Sequence, residues 1–364
     1  MALRSAIHLA LAAVLAGVAQ APAPPSPPEQ PESGPGGRAY AHEEIRVTTL
    51  GTGARQVHLF EPAAPSPQSA PVVVFGHGWL ATSPNHYGAW IAHIVRRGHT
   101  VVFPRYQADA RTPVAEFTGH ALAATIHALD TLRSPGHVAP DPRGLAFVGH
   151  SMGGLVVTNL AVRAARGQLP PPLALMVVAP GKTWPEPSRI AFRLDELSLL
   201  PPNLLLLAVV GDDDDFVGEI DARKVYTGAS GVDAANRNYV RIFSDDHGEP
   251  ALVADHRFAS APLPLVGEDA TEEPSATVDL ERLRRALIQR HSPGASSAVA
   301  WPSRGPVVTN ALDYFGTWKL FDGLTDAVFR GVHREYALGG TREQRHMGYW
   351  SDRVPVRELI VENP

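Results

Sequence analysis

Residues 145–154 read LAFVGHSMGG, and this decade decides the fold. Leu145 to Val148 is a short apolar run of the kind that fills a strand buried on both faces. Gly153 to Arg166 carries a helical pattern, so only Gly149-His150-Ser151-Met152 separates strand from helix. A turn that tight forces Ser151 into a strained backbone angle and pushes its Oγ above the sheet edge. Glycine on either side leaves room for the neighbouring strand and helix to close in. The helix start also places its positive end beneath any negative charge that develops there. Ser151 is therefore the candidate nucleophile.

The pattern repeats outward in both directions. Upstream, Pro71 to Phe75 (PVVVF) is an uninterrupted apolar run that stops at Gly76-His77-Gly78-Trp79, followed by a helical pattern over Asn85 to Arg97 and a strand at Thr100 to Phe103. Ala115 to Leu132 is helical again. Downstream come strands at Leu173 to Val178, Leu204 to Val210 and Tyr239 to Phe243, with a helix at Glu219 to Tyr226. Glu44 to Leu50 and Arg55 to Phe60 form a β-prone pair around Gly51 and Gly53, which predicts an antiparallel hairpin. Strands alternating with helices mean right-handed crossovers, hence an α/β fold with a mostly parallel sheet of eight strands and helices on both faces.

Residues 71–79 (PVVVFGHGW), 145–154 (LAFVGHSMGG) and 204–217 (LLLLAVVGDDDDFV) together resemble the α/β-hydrolase superfamily, in the order that superfamily uses. The resemblance runs from about Ile45 to Gly248. Its narrower likeness, through His77-Gly78-Trp79 and GHSMGG, is to lipases, cutinases and polyester hydrolases. It implies a nucleophile, then an acid, then a histidine along the chain, together with an oxyanion hole and ester hydrolysis.

Carried onto this sequence, the resemblance makes the backbone N–H groups of Met152 and Trp79 the oxyanion donors, fixed before reaction so that they need not reorganise. Trp79 would also offer an apolar wall to an acyl group. The acid follows the strand LLLLAVV, where Asp212, Asp213, Asp214 and Asp215 all stand; the spacing from Gly211 to Val217 selects Asp214, with Asp215 as alternative. Four adjacent carboxylates should raise some of one another's pKa values, which conflicts with a histidine partner that needs an ionised acid. The general base should follow the last core strand, and Ser244-Asp-Asp-His247-Gly places His247 there; His256 is the runner-up. The segment from Lys182 to Leu200 occupies a lid position, with Trp184 and Phe192 as candidate linings of a substrate site.

Composition limits the alternatives. The chain has 364 residues, 44% hydrophobic and 19% charged, enough for one large domain with a substantial core. It has no cysteine, so disulfides, thiolate metal sites and cysteine nucleophiles are excluded. A formal charge of −5 gives no basic face for nucleic acid. No H-E-x-x-H spacing suggests a metal, and G-H-G-W after the first buried strand is not a dinucleotide fingerprint. No metal and no organic cofactor is expected.

The first 21 residues read as a cleavable signal peptide: Arg4, an apolar run from Ile7 to Val18, then Ala19 and Ala21 in an A-x-A pattern. A Pro/Gly-rich spacer covers 22–39, expected to be extended or disordered. Residues 40–364 form the hydrolase domain, with a surface excursion at 259–310 around a charged helix (Val278 to Gln289) and a C-terminal helical wrap from Ala311 to Ala337. The expected protein is an exported (secreted or periplasmic) serine esterase acting on a carboxylic ester, with lipids and polymers among the candidate substrates, and with no membrane span once its signal is removed. An amidase or peptidase with the same triad, or a non-catalytic exported binding protein of the same fold, are the competing readings.

Overall fold

The computed structural model describes residues 23–183, 191–267 and 306–362. Among the described residues, nine strands form one sheet: β1 (Glu44–Leu50), β2 (Val57–Ala63), β3 (Ser69–Gly76), β4 (Thr100–Pro104), β5 (Ala139–His150), β6 (Pro172–Val178), β7 (Leu205–Gly211), β8 (Arg237–Ile242) and β9 (Ile360–Glu362). Their spatial order is β1-β2-β4-β3-β5-β6-β7-β8-β9. Every pairing from β4 to β8 is parallel, while β1/β2, β2/β4 and β8/β9 are antiparallel. The expected eight strands thus become nine. The addition, β9, is three residues long, half-exposed and on the sheet edge, too short to leave a periodic signal.

The apolar runs are continuous because both sheet faces are covered. Along β3, Val73 and Phe75 enter one core layer and Val72 and Val74 the other, as the alternation of a strand requires. Helix α1 (Gly88–Arg96) packs Trp90, Ile91 and Ile94 into the first layer. Helices α2 (Phe117–Leu132), α3 (Met152–Ala165) and α4 (Ile220–Gly228) pack into the second through Ala121 and Ala124, Leu155 and Val156, and Ala222 and Val225. All seven residues of β7 are buried; each such leucine or valine contributes about 1.5–3 kcal/mol over its exposed state.

The C-terminal wrap completes the first layer. A π-helical stretch, Leu312–Trp318, runs into helix α5 (Lys319–Arg330), which buries Leu320, Phe321 and Leu324 beside α1. Gly331, at φ 72°, ends it in the left-handed conformation that glycine adopts freely.

The Pro/Gly-rich stretch differs from the spacer its composition predicts. It is extended, yet docked: Pro25 O accepts from Glu249 N–H at 2.9 Å, Ser26 O from Ser351 N–H at 3.0 Å, and Gly36 N–H donates to Asp322 Oδ2 at 2.6 Å. The segment holds on through backbone polar groups in place of apolar surface, and glycine permits the approach. A β-carbon on Gly36 would stand 2.0 Å from Tyr314 O. The helix predicted at Val278 to Gln289 lies outside the described residues, as does most of the 259–310 excursion. Among the described residues no helix is long and apolar enough to cross a membrane.

Candidate active site

Ser151 stands between β5 and α3 at φ 55°, ψ −128°, a conformation that costs an L-residue roughly 1–3 kcal/mol. The surroundings over-determine it. Its N–H donates to Val178 O at 2.9 Å, and its carbonyl accepts from Gly154 N–H at 2.9 Å and Gly181 N–H at 3.3 Å. Glycine makes the bend possible. A β-carbon on Gly149 would lie 2.4 Å from Gly153 O, and one on Gly153 would lie 2.2 Å from the Gly76 backbone. The first turn of α3 therefore runs directly against the ends of β3 and β5, which lifts the serine to the carboxyl edge of the sheet.

Ser151 and Asp214 meet through His256. Its Nε2 lies 2.9 Å from Ser151 Oγ and its Nδ1 2.8 Å from Asp214 Oδ2. All three side chains are buried. The expectation that His247 fills this place is corrected: His247 lies on the surface, with Nε2 2.8 Å from Asp352 Oδ2 and its ring near Trp350.

The correction has a physical cause. The chain leaving β8 does not turn into the site at once. Asp245 and Leu252 pair in an antiparallel bridge, so Asp246 to Ala251 form an outward excursion. The returning limb is pinned where Ser244 Oγ accepts from Ala254 N–H at 3.0 Å and Ala254 O accepts from Asp213 N–H at 3.2 Å. Gly211 lets that limb cross the end of β7; a β-carbon there would stand 2.1 Å from Ala254 O. A sequence signal for this exists. His247 sits in a polar stretch holding Gly248 and Pro250, the composition of a loop tip, whereas His256 is flanked by Leu252, Ala254 and Phe258, all buried.

The aspartate cluster separates by direction. Of the four, Asp214 is the buried one, and its Oδ1 accepts from the N–H groups of Phe216 and Val217, each at 3.1 Å. Asp212 and Asp215 face outward, and Asp212 Oδ1 caps Ser244 through its N–H and hydroxyl at 2.8 and 2.9 Å. Burial alone would raise the Asp214 carboxyl. The charge and hydrogen bond of His256, with the Val217 amide and the His150 imidazole, overcome it and hold the pKa below the usual carboxylate range. The conflict posed by four neighbouring acids is thus resolved by orientation.

The loop after β3 closes the site. A β-carbon on Gly78 would lie 3.5 Å from Ser151 Cβ, so the peptide leading into Trp79 runs beside the serine. Leu80 N–H donates to Gln107 Oε1 at 2.8 Å and Ala81 N–H to Gly78 O at 2.9 Å, which fixes the loop. His77 braces it from below. Its Nδ1 and Nε2 approach the carbonyls of Gly78 and Arg105 at 2.7 and 2.6 Å, and its ring stacks on Tyr106 at 4.0 Å. Burial pushes the His77 imidazole down to about 4, against the pull of those two carbonyls. Met152 opens α3, so its N–H belongs to the first helical turn, where amides have no intrahelical acceptor. Trp79 is half-buried and packs against the second core layer. Phe192 is buried in that layer, which makes it packing; Trp184 lies outside the described residues. Among the described residues no group of three or more histidines and acids could hold a metal ion.

Residues 72–206 match the profile of a family described as alpha/beta hydrolase fold. No curated protein sequence matches the chain. Solved structures similar to it include carboxyl esterase 2 of the mycorrhizal fungus Tuber melanosporum, at 18% identity and a TM-score of 0.45, covering 60% of this chain and 80% of that one. Another is a tryptophan-to-histidine variant of the esterase rPPE, at 14% identity and a TM-score of 0.45, covering 60% and 76%.

Proposed function

We propose that this chain is a member of the α/β-hydrolase superfamily, whose profile residues 72–206 match, and that it hydrolyses carboxylic esters through an acyl intermediate on Ser151. The observation that carries the reading is the continuous contact from Ser151 Oγ through the His256 ring to Asp214, at 2.9 and 2.8 Å. His256 Nε2 takes the hydroxyl proton as Oγ attacks the ester carbonyl carbon. The oxyanion of the tetrahedral intermediate is held by the N–H groups of Met152 and Trp79. His256 then gives its proton to the departing alcohol, and water repeats the sequence to release the acid. Asp214 fixes the ring's tautomer and stabilises the imidazolium that forms in each half-reaction. A carboxyl kept ionised in a buried site suits that role.

Esters ask least of such a relay, because an alcohol leaves more readily than an amine. The test is covalent labelling by a fluorophosphonate in wild type and Ser151→Ala, followed by matched ester and amide substrates of several chain lengths. Label on wild type alone, with esters turned over faster, is the expected result. Equal label on both proteins means another nucleophile, and faster amide turnover moves the protein to the amidase reading. Export is part of the proposal and rests on Arg4, the apolar run to Val18 and the A-x-A pattern. Cleavage after Ala21 would keep the docked stretch around Pro25 intact, and N-terminal sequencing of the mature protein checks it.

A further inference from the structure

His150, the residue before Ser151, and Tyr87, at the start of α1, form a chain of hydrogen bonds that the relay itself does not use. Gly78 N–H lies 2.9 Å from Tyr87 Oη, Tyr87 Oη lies 2.9 Å from His150 Nδ1, and His150 Nε2 lies 2.8 Å from the backbone carbonyl of His256. Tyr87, His150 and His256 are all buried. The His150 ring stands 4.8 Å from the His256 ring and 5.8 Å from that of Tyr87, between the two.

The bonds at the two ends of the chain have one permitted direction each. A backbone N–H only donates, so Tyr87 Oη accepts from Gly78. A backbone carbonyl only accepts, so His150 Nε2 carries a proton and donates it to His256. Nδ1 then accepts the Tyr87 hydroxyl in the neutral ring and donates to Tyr87 Oη in the imidazolium, so the bond stands in either state. The chain therefore runs without conflict from the loop that borders Ser151 to the main chain of the residue whose ring touches Ser151.

The geometry points to Tyr87 and His150 as positioning residues: they hold the His256 backbone and the Gly78 loop in one fixed relation to Ser151. The inference rests on the reading of Ser151 and His256 as nucleophile and base. His256 needs such an anchor because it stands on a loop, outside the sheet and its helices. Its two ring bonds orient the imidazole, the bonds at Ala254 pin the limb two residues earlier, and the bond from His150 holds the main chain of His256 itself. Small displacements of a reacting group are expensive in rate, and a buried, connected network resists them better than isolated bonds. Gly78 is fitted to the same chain. A β-carbon there would lie 3.1 Å from Tyr87 Oη, 3.5 Å from His150 Nδ1 and 3.5 Å from Ser151 Cβ, so a side chain at this position would crowd the Tyr87 hydroxyl and touch the other two.

The test is steady-state hydrolysis of p-nitrophenyl butyrate by Tyr87→Phe, His150→Phe, the double variant and His150→Gln, with fluorophosphonate labelling rates and thermal unfolding alongside. Each single phenylalanine variant should lose about tenfold in kcat, the kinetic equivalent of one hydrogen bond's worth of positioning, with KM within about twofold. The double variant should be no slower than His150→Phe, because the two residues act in series. His150→Gln, whose amide keeps a donor for the His256 carbonyl, should recover most of the loss. Wild-type kcat in Tyr87→Phe overturns the inference, as does a loss carried wholly by KM or by thermal stability. Should His150→Phe fail to fold, Tyr87→Phe decides alone, since it removes a single oxygen. Wild type that takes no label, or labels equally as Ser151→Ala, defeats the serine-hydrolase reading itself. Ser151-dependent labelling at an unchanged rate in both phenylalanine variants defeats only this inference.

Discussion

His247 and His256 stand nine positions apart on one loop, and each has a carboxylate at 2.8 Å from a ring nitrogen. Judged by that pair alone they are equivalent. What separates them is the medium and the second ring nitrogen. The His247–Asp352 pair is more than a third exposed on both sides, whereas His256 and Asp214 are almost wholly buried. In water the first pair trades one set of solvated contacts for another and is worth little. In the dry site the second fixes a tautomer and leaves Nε2 aimed at Ser151 Oγ. A carboxylate beside a histidine becomes an orienting device only where solvent cannot compete for it.

Substituting the two histidines alike gives the comparison its strongest test. His256→Gln should lose at least about a thousandfold in kcat, as expected when the base of a serine relay is removed. His247→Gln should stay within about twofold, as expected of an exposed residue away from the reacting groups. Rates on a p-nitrophenyl ester decide it, and comparable losses from the two variants would break the contrast.

The same contrast divides the aspartates. Asp214→Asn should cost about 10²–10⁴ in kcat, because a neutral amide neither enforces the tautomer nor stabilises the imidazolium. Asp215→Asn, at an outward-facing position, should change kcat by less than about twofold. A larger loss from Asp215→Asn would reassign the acid.

These pairs also mark how far the sequence could be read. The strands from β3 to β8 were legible through the apolar stretch that each contains, although β5 extends back through residues 139–144, whose sequence APDPRG carries no such stretch. Ser151 was legible because strand, glycine turn and helix crowd into ten residues. Asp214 could be picked from four aspartates by its spacing from Gly211 and Val217. His256 could not be placed by counting from the last strand, because the bridge between Asp245 and Leu252 sends the chain outward first. Long-range pairing of this kind leaves no mark at fixed spacing. The docking of Pro25 to Gly36 was hidden for a related reason: backbone groups make those bonds, and residue type says little about them. The chain through Tyr87 and His150 joins positions 63 residues apart and is visible only in three dimensions.

Burial makes a third, smaller contrast among the histidines. It lowers His77 and His99 to about 4, in each case mainly because the charged form would lose its water. A folded-state pKa below the ordinary value of about 6.5 means the unfolded chain binds protons first as pH falls. Their contribution to stability is therefore complete above pH 6.5 and is lost progressively as pH falls from there towards 4. Urea midpoints should decline over that window, the unfolding free energy falling by on the order of 1 kcal/mol per pH unit for each histidine. His99→Gln should make the decline shallower, while His247→Gln should leave it unchanged. A midpoint flat from pH 6.5 to 4 would show that neither ring is held neutral by burial.

The smallest effect belongs to the exposed pair itself. The hydrogen bond from His247 holds the Asp352 carboxyl below its usual range. A lowered carboxylate contributes stability that is present above its unfolded pKa and lost as pH falls through the folded one. Both partners meet solvent, so screening leaves little of that contribution. Asp352→Asn should shift the melting temperature by less than about 2 °C, and the shift should shrink further in high salt. Asparagine keeps an oxygen for the Val354 N–H, which Asp352 Oδ1 accepts at 3.1 Å, and Asp245 still ties the loop to the C-terminal segment through Trp350 Nε1 at 3.2 Å and Arg357 N–H at 2.9 Å. A salt-insensitive loss of several degrees would mean that the surface histidine is held as firmly as the buried one, and the distinction between the two would then rest on Ser151 alone.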